Sequence, residues 1–412
     1  MNPFRICITT LEYPPDVGGV GTSVYRIAHM LKQSGYDVHV AVFHSKHRKD
    51  TDAYTRTGYR TIDDEGITVH RIRSAVRSET LAVQDYLSEV YAQVRSLHLR
   101  YQFDAFHAFF LNETGFLTTL LAREYGVPVI NSIRGNDLHK HIFNPKQHGQ
   151  IAWTLEHSDW VTSVSQDLQR RAAVLVPGLE RKSSAFWNSI VPISFEEMPV
   201  PPMIQTLRHQ ADTGLLVGSL GRFRDKKGID FLIDACASVQ KKMNITLLLI
   251  GDFVEKEQDY WHDLIQKHAF KDRIHVTGIL PRDEALTFLP YLDVFAIPSI
   301  HDGCPNAMLE AMMAGCPVIG TDVDAIGEIL THGDNALVVP PSSSQAIAHA
   351  IDQLANHPEQ RQLLGQRAQA RVLEVLSPAV EQDNWVRVYT HVLGAAPSTL
   401  RPLSESVVQK IA

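Results

Sequence analysis

Residues 299–320 read SIHDGCPNAMLEAMMAGCPVIG, and the fold follows from how this stretch is built. Just before it, Asp293-Val294-Phe295-Ala296-Ile297 is a short, largely apolar run closed by Pro298, the pattern of a buried strand. Small, turn-forming residues follow. From Asn306 to Ala314 the apolar positions then fall at helical spacing among good helix formers. A strand therefore leads through a loop into a helix N-terminus, where backbone N–H groups and the helix dipole favour an anion. Two carboxylates flank that place, Asp302 in the loop and Glu310 on the helix. Acids beside an anion site defeat its purpose unless each accepts hydrogen bonds from hydroxyls of the same ligand. A nucleoside-diphosphate sugar has both parts, a diphosphate and hydroxyls at either end.

The segment resembles the donor-site signature of retaining glycosyltransferases of family 4. These have the GT-B fold, two doubly wound, Rossmann-like α/β domains facing across a cleft. In that family a Glu holds the first acidic position and a second Glu follows after seven residues. Here Asp302 takes the first place and Glu310 the second, with Gly303-Cys304-Pro305-Asn306, Glu310-Ala311-Met312 and Ala314-Gly315 fitting the pattern. The shorter Asp302 draws its carboxylate back by about one C–C bond length. The resemblance implies that Glu310 accepts from ribose hydroxyls and Asp302 from hydroxyls of the transferred sugar. It also implies that Gly303, Cys304 and the backbone near Asn306 contact the donor.

Bulk properties agree with such a protein. A chain of 412 residues is long enough for two domains, each with its own core. A net charge of −7 argues against general nucleic-acid binding, which wants a strongly basic face. No apolar run approaches the length that spans a bilayer, and the apolar start runs directly into Glu12 and Pro14, so it reads as a first strand. Cys7, Cys236, Cys304 and Cys316 are scattered without metal or disulfide-framework spacing, which points to the cytoplasm.

Along the chain, residues 4–10 form a β-rich run, followed by Tyr13-Pro14-Pro15-Asp16-Val17-Gly18-Gly19-Val20-Gly21 and a helical pattern over 22–31. Strand, glycine loop and helix open a doubly wound domain. A dinucleotide fingerprint would need a small residue where Val24 stands and an acid ending the second strand, residues 38–43; neither is present. The loop resembles the family's GG-x-G loop, which implies donor contacts at Gly19 and Gly21. Residues 44–64 are polar, with His47, Arg48 and Lys49 together, and read as a solvated loop. Residues 67–72 read as a strand and 82–99 as a helix.

Strands over 103–110 and 127–132 end near His107 and Arg134-Gly135-Asn136-Asp137. A lone histidine among apolar residues reads as a satisfied core histidine; the resemblance instead implies a cleft-facing, catalytic His107. Arg134 stands where family members often carry His. It stays charged and can only donate, so the implied role is anchoring phosphate or sugar. Ser165 is a good N-cap for the next helix. Residues 195–211 turn proline-rich and acidic, as a linker does.

The second domain opens with a strand over 214–220 and then Gly221-Arg222-Phe223-Arg224-Asp225-Lys226-Lys227-Gly228. A diphosphate needs fixed cations plus N–H donors. The resemblance implies that Arg222 and Lys227 neutralise the leaving diphosphate, with no metal or other cofactor. Arg224 and Lys226 read as solvated neighbours. Gly278-Ile279-Leu280 resembles the place where the family holds the nucleobase. Asp322-Val323-Asp324 reads as a turn and helix cap.

The expected domains are an acceptor-side domain over 1–195, a linker over 196–212 and a nucleotide-sugar-binding domain over 213–377. A helix over 378–394 returns to the first domain, and 395–412 form a tail. The expected activity is retaining transfer of a hexosyl group from a UDP-sugar to a hydroxyl of a glycan, lipid-linked glycan or small molecule, as in polysaccharide biosynthesis. The alternatives are a nucleotide-sugar epimerase of the same fold and a non-catalytic binding protein. Lipid-linked acceptors raise peripheral contact with the inner face of a membrane, but Arg71, Arg73 and Arg77 are too sparse to decide it. Oligomeric state is left open by the sequence.

Overall fold

A computed structural model describes residues 3–16, 18–43, 58–73, 83–209 and 214–396. The His47-Arg48-Lys49 cluster, Arg77 and most of the expected tail lie outside the described residues. The chain divides into two compact units. One combines the residues up to Asn188 with the helix Pro378–Leu393, and the other is Ser189–Ser377.

Among the described residues the first unit has eight strands: β1 (Arg5–Thr10), β2 (Asp37–Phe43), β3 (Gly58–Asp64), β4 (Ile67–Arg73), β5 (Ala105–Phe109), β6 (Val129–Ile133), β7 (Trp160–Ser163) and β8 (Ser183–Ala185). They lie in the order β3-β4-β2-β1-β5-β6-β7-β8, all parallel except the β3–β4 hairpin. The period of two along β1 explains why both sheet faces are covered. Ile6 and Ile8 pack with Val24 and Ile27 of the helix Gly19–Gln33 and with Trp385 and Tyr389 of Pro378–Leu393. Cys7 points the other way, into a cluster with Val90, Val94 and Leu121.

The returning helix is fastened by a buried ion pair. Arg26 Nε lies 2.8 Å from Glu381 Oε2 and Arg26 Nη2 lies 3.2 Å from Oε1, while the Trp385 indole N–H donates to Oε1 at 3.3 Å.

Strand β3 corrects the reading of 44–64 as a loop: residues 58–64 form an edge strand antiparallel to β4. Its turn residues Glu65 and Gly66 both have positive φ, 54° and 81°, which suits the twist of a tight hairpin. The strand is polar because an edge needs little apolar cover, so hydrophobic periodicity missed it.

The second unit holds β9 (Leu215–Phe223), β10 (Ile245–Phe253), β11 (Ile274–Val276), β12 (Val294–Ile297), β13 (Val318–Thr321) and β14 (Leu337–Val339). The order is β11-β10-β9-β12-β13-β14 and all pairs are parallel. This is the doubly wound order, with a reversal of direction between β9 and β12. The proline-rich stretch expected as a linker includes a helix, Pro202–His209, within this unit, whose Ile204 and Leu207 are buried. No described helix is long and apolar enough to cross a membrane.

Candidate active site

In an open parallel sheet the crevice outside the carboxyl ends of the strands opens where the order reverses. In the second unit that point lies between β9 and β12, and the chain brings two loops together there. The first follows β9 through the short 3-10 turn Asp225–Lys227 into the helix Ile229–Gln240. Gly228 makes the junction at φ 62°, and a Cβ on it would stand 2.2 Å from the carbonyl oxygen of Pro298. Only glycine lets this loop lie directly on the end of β12. The second loop answers with the Ile300 N–H, which donates to the Lys226 carbonyl at 2.9 Å.

This contact sets the charged groups. Lys227 Nζ donates to Asp302 Oδ2 in a partly buried ion pair. The Asp302 N–H donates to Asp324 Oδ2 at 2.9 Å, and the Ala325 N–H donates to the Gly303 carbonyl at 3.3 Å. Burial pushes the Asp302 carboxyl up, but Lys227 and Lys226 more than offset it and hold the group below the ordinary carboxylate range. Lys226 is not the solvated neighbour expected from sequence. It is partly buried, and burial lowers its ammonium against the opposing pull of Asp302. Arg222 stands exposed near the end of β9, and among the described residues its side chain makes no hydrogen bond or ion pair.

Cys304 and Asn306 follow in the same loop, and the helix Asn306–Met313 starts at Asn306. Glu310 lies on that helix, almost wholly buried, and Arg282 Nη2 reaches its Oε1 at 2.9 Å. Burial raises the Glu310 carboxyl above its usual value and Arg282 only partly restores it. Gly278, at φ 76°, ends the edge strand's loop with open space where a Cβ would be, and Ile279 beside it is exposed. Lys227, Asp302, Gly303 and Asp324 thus form one connected cluster, and Glu310 with Arg282 a second on the neighbouring helix.

In the first unit the glycine loop follows β1. Gly19 is exposed with nothing within 4 Å of a would-be Cβ, whereas Gly21 is buried, its Cβ position 3.4 Å from the Asp16 carbonyl oxygen. Arg71 braces the loop, donating to the carbonyls of Tyr13, at 3.0 Å, and of Pro14. Arg134 lies over the Phe109 ring, its Cζ 5.4 Å from the centroid, and its Nη2 donates to Asn188 Oδ1 at 2.9 Å. Beneath it, fully buried Asp137 accepts the N–H groups of Arg134 and Leu111, each at 2.8 Å, so one carboxylate fixes the ends of two loops.

His107 corrects the expectation of a catalytic group. It is fully buried, its Nε2 2.7 Å from Ser132 Oγ and its Nδ1 2.9 Å from Tyr389 Oη. Burial, with a contribution from Arg134, pushes the imidazole down to about 3, so it is neutral with both nitrogens engaged in the core. Sequence reasoning also passed over Arg282, Asp137 and the bracing role of Asp324. Only the first-unit sequence Arg134-Gly135-Asn136-Asp137 carried a signal, an Asp four residues after the end of β6.

Comparison with known proteins agrees with the fold. Residues 208–371 match the family Glycosyl transferases group 1, and residues 18–180 match Glycosyl transferase 4-like domain. The chain belongs to the group 1 glycosyltransferases of GT-B fold. An uncharacterized glycosyltransferase of Methanocaldococcus jannaschii, MJ1607, is 24% identical over 382 residues, covering 90% of this chain and 94% of the relative. Among solved structures, sucrose-phosphate synthase from Thermosynechococcus elongatus superposes with a TM-score of 0.75 at 16% identity, covering 95% of this chain and 99% of that one. Anabaena Alr3699/HepE in complex with UDP and glucose superposes with a TM-score of 0.70 at 18% identity, covering 94% of this glycosyltransferase and 100% of that chain. These likenesses show the fold, and the family makes the chain a glycosyltransferase.

Proposed function

We propose that this glycosyltransferase moves a hexosyl group from a nucleoside-diphosphate sugar to a hydroxyl of a glycan, lipid-linked glycan or small-molecule acceptor, with retained anomeric configuration. The observation that carries the proposal is the joining of the loops after β9 and β12 at the reversal of strand order, which seats Lys227 against Asp302. A diphosphate held there meets Lys227 and the first turn of Asn306–Met313, with Arg222 free to close on it from β9. These cations replace a metal in stabilising charge on the leaving group, an electrostatic contribution larger than that of any single proton transfer. Asp302 takes hydroxyls of the transferred sugar and Glu310 those of the ribose.

In this proposal no side chain acts as a base, which suits substitution on one face of the sugar. The bond from the anomeric carbon to the phosphate oxygen breaks, the bond to the acceptor oxygen forms, and the acceptor proton passes to the departing phosphate. Gly19, Gly21 and Arg134 of the first unit serve donor and acceptor positioning in this reading, and Gly278 the nucleobase. UDP is the first donor nucleotide to test, supported by a fold neighbour that was crystallised with UDP and glucose. The proposed location is the cytoplasm, with peripheral membrane contact if the acceptor is lipid-linked.

The test is a thermal-shift panel of nucleotide sugars and free nucleotides in EDTA, on wild type and on Arg222→Ala/Lys227→Ala. Stabilisation by one nucleotide series, lost in the double variant, supports a metal-free donor site. Product analysis with and without acceptors then separates transfer from epimerisation. Absence of any shift, with no turnover of any donor, would leave a binding protein that has lost the chemistry.

A further inference from the structure

Glu310 is an awkward ligand for a nucleoside. It is a nearly buried carboxylate that burial raises above its usual value, against the opposing pull of Arg282. Among the described residues its only hydrogen-bond partner is Arg282, which follows the Gly278-Ile279-Leu280 loop at the start of the short helix Arg282–Leu286. The guanidinium places both contacts on one oxygen: Nε lies 3.0 Å and Nη2 2.9 Å from Oε1. Oε2 makes no hydrogen bond among the described residues. Among the described residues Arg282 is the charged side chain that acts on the carboxylate. The 3-10 turn Leu289–Tyr291 and β13 offer only Tyr291 as a titratable group, and Pro358–Val375 meets the end of the Glu310 helix through Gly365 and Gln369.

We infer that Arg282 is a positioning residue for donor binding, pinning Oε1 of Glu310 so that Oε2 is presented, charged, to the ribose hydroxyls. The inference rests on the donor site proposed above. An arginine suits the task because its planar fork can load two N–H groups onto one oxygen and never loses its charge. It also ties the loop after β11 to the helix after β12, so nucleobase and ribose contacts are set together.

The experiment measures binding of UDP, and of its 2′,3′-dideoxy form, by calorimetry to wild type, Arg282→Met and Arg282→Lys, from about pH 5.5 to about pH 9. Wild type should prefer UDP to the dideoxy form. Arg282→Met should bind UDP about tenfold or more weakly at neutral pH, as loss of a charge-assisted bond implies. Its affinity should recover as pH rises, because Glu310 without its partner ionises later, while Arg282→Lys should keep the wild-type pH profile. A uniform loss at every pH marks a merely structural role and overturns the inference, as does equal binding of UDP by wild type and Arg282→Met. So does binding of UDP without ribose discrimination. If wild type binds no nucleoside diphosphate of any base, the donor-site reading itself fails, a result distinct from the others.

Discussion

Lys227 and Asp302, 75 positions apart in sequence, form an ion pair that joins the loop after β9 to the loop after β12. The pair occupies the point where the second sheet reverses its strand order, so it sits where an open α/β sheet binds ligands. Each partner neutralises the other until a donor arrives. Binding of a diphosphate then has to redistribute Lys227 between Asp302 and phosphate.

Replacing Lys227 should therefore hurt in two ways. Lys227→Ala is expected to cost about 3 kcal/mol of transition-state stabilisation, read as a fall in kcat/KM. It should also lower the thermal midpoint, because Asp302 is left partly buried without its cation. Asp302→Asn in the same background should recover the midpoint and not the rate. Near-normal turnover of Lys227→Ala would remove it from the site.

Gly228→Ala tests the junction of the two loops. The new Cβ would lie 2.2 Å from the Pro298 carbonyl oxygen at a φ of 62°, so backbone must shift. A stability loss of roughly 1–3 kcal/mol is expected in urea unfolding, together with weaker nucleotide binding. Gly19→Ala, where nothing lies within 4 Å of the added carbon, should fold as wild type.

The buried Arg26–Glu381 pair predicts an asymmetry. Glu381→Ala strands a buried guanidinium and should cost about 3–5 kcal/mol in chemical denaturation. Arg26→Met/Glu381→Leu removes both charges and should cost far less. Equal losses in the two proteins would show that packing of Trp385 and Tyr389, and not the ion pair, holds the returning helix.

Acid should unfold the protein through its buried histidines. Burial pushes His107 down to about 3 and His39 and His70 to about 4, with His39 Nδ1 2.9 Å from His70 Nε2. Their unfolded forms titrate near 6.5, so below that pH the unfolded chain binds more protons than the folded one. Stability is then complete above pH 6.5 and falls as pH drops, each histidine adding at most about 1.4 kcal/mol per pH unit until its folded value is reached. His107→Gln keeps a hydrogen-bonding side chain that does not titrate, and should flatten the slope by one histidine while leaving kcat within about twofold. A large loss of kcat at full stability would return His107 to the chemistry.

How much of this was legible beforehand depended on range. Alternating apolar runs and helical spacing exposed the α/β architecture, and the 299–320 stretch placed a loop between a buried strand and a helix. Ser165 was readable as an N-cap because the interaction is local, its hydroxyl accepting the Leu168 N–H at 3.2 Å. Strand β3 escaped because an edge strand needs no apolar face. The roles of Arg282, Asp324 and Asp137 escaped because a charged residue in a loop looks the same whether it is solvated or meets a partner from another strand.

Apart from strand β3 and the helix Pro202–His209, the sequence by itself determined most of the succession of strands and helices through periodicity, and through the contiguous 299–320 motif the loop that carries Asp302 and the resemblance to a family. Only the tertiary structure decided which charges act together. It seated Lys227 on Asp302 and Arg282 on Glu310, drew Lys226 out of solvent, and sealed His107 beneath Tyr389. The physical reason is that burial and the partner across a fold boundary set a side chain's charge and hydrogen bonds, and neither is encoded in its neighbours along the chain.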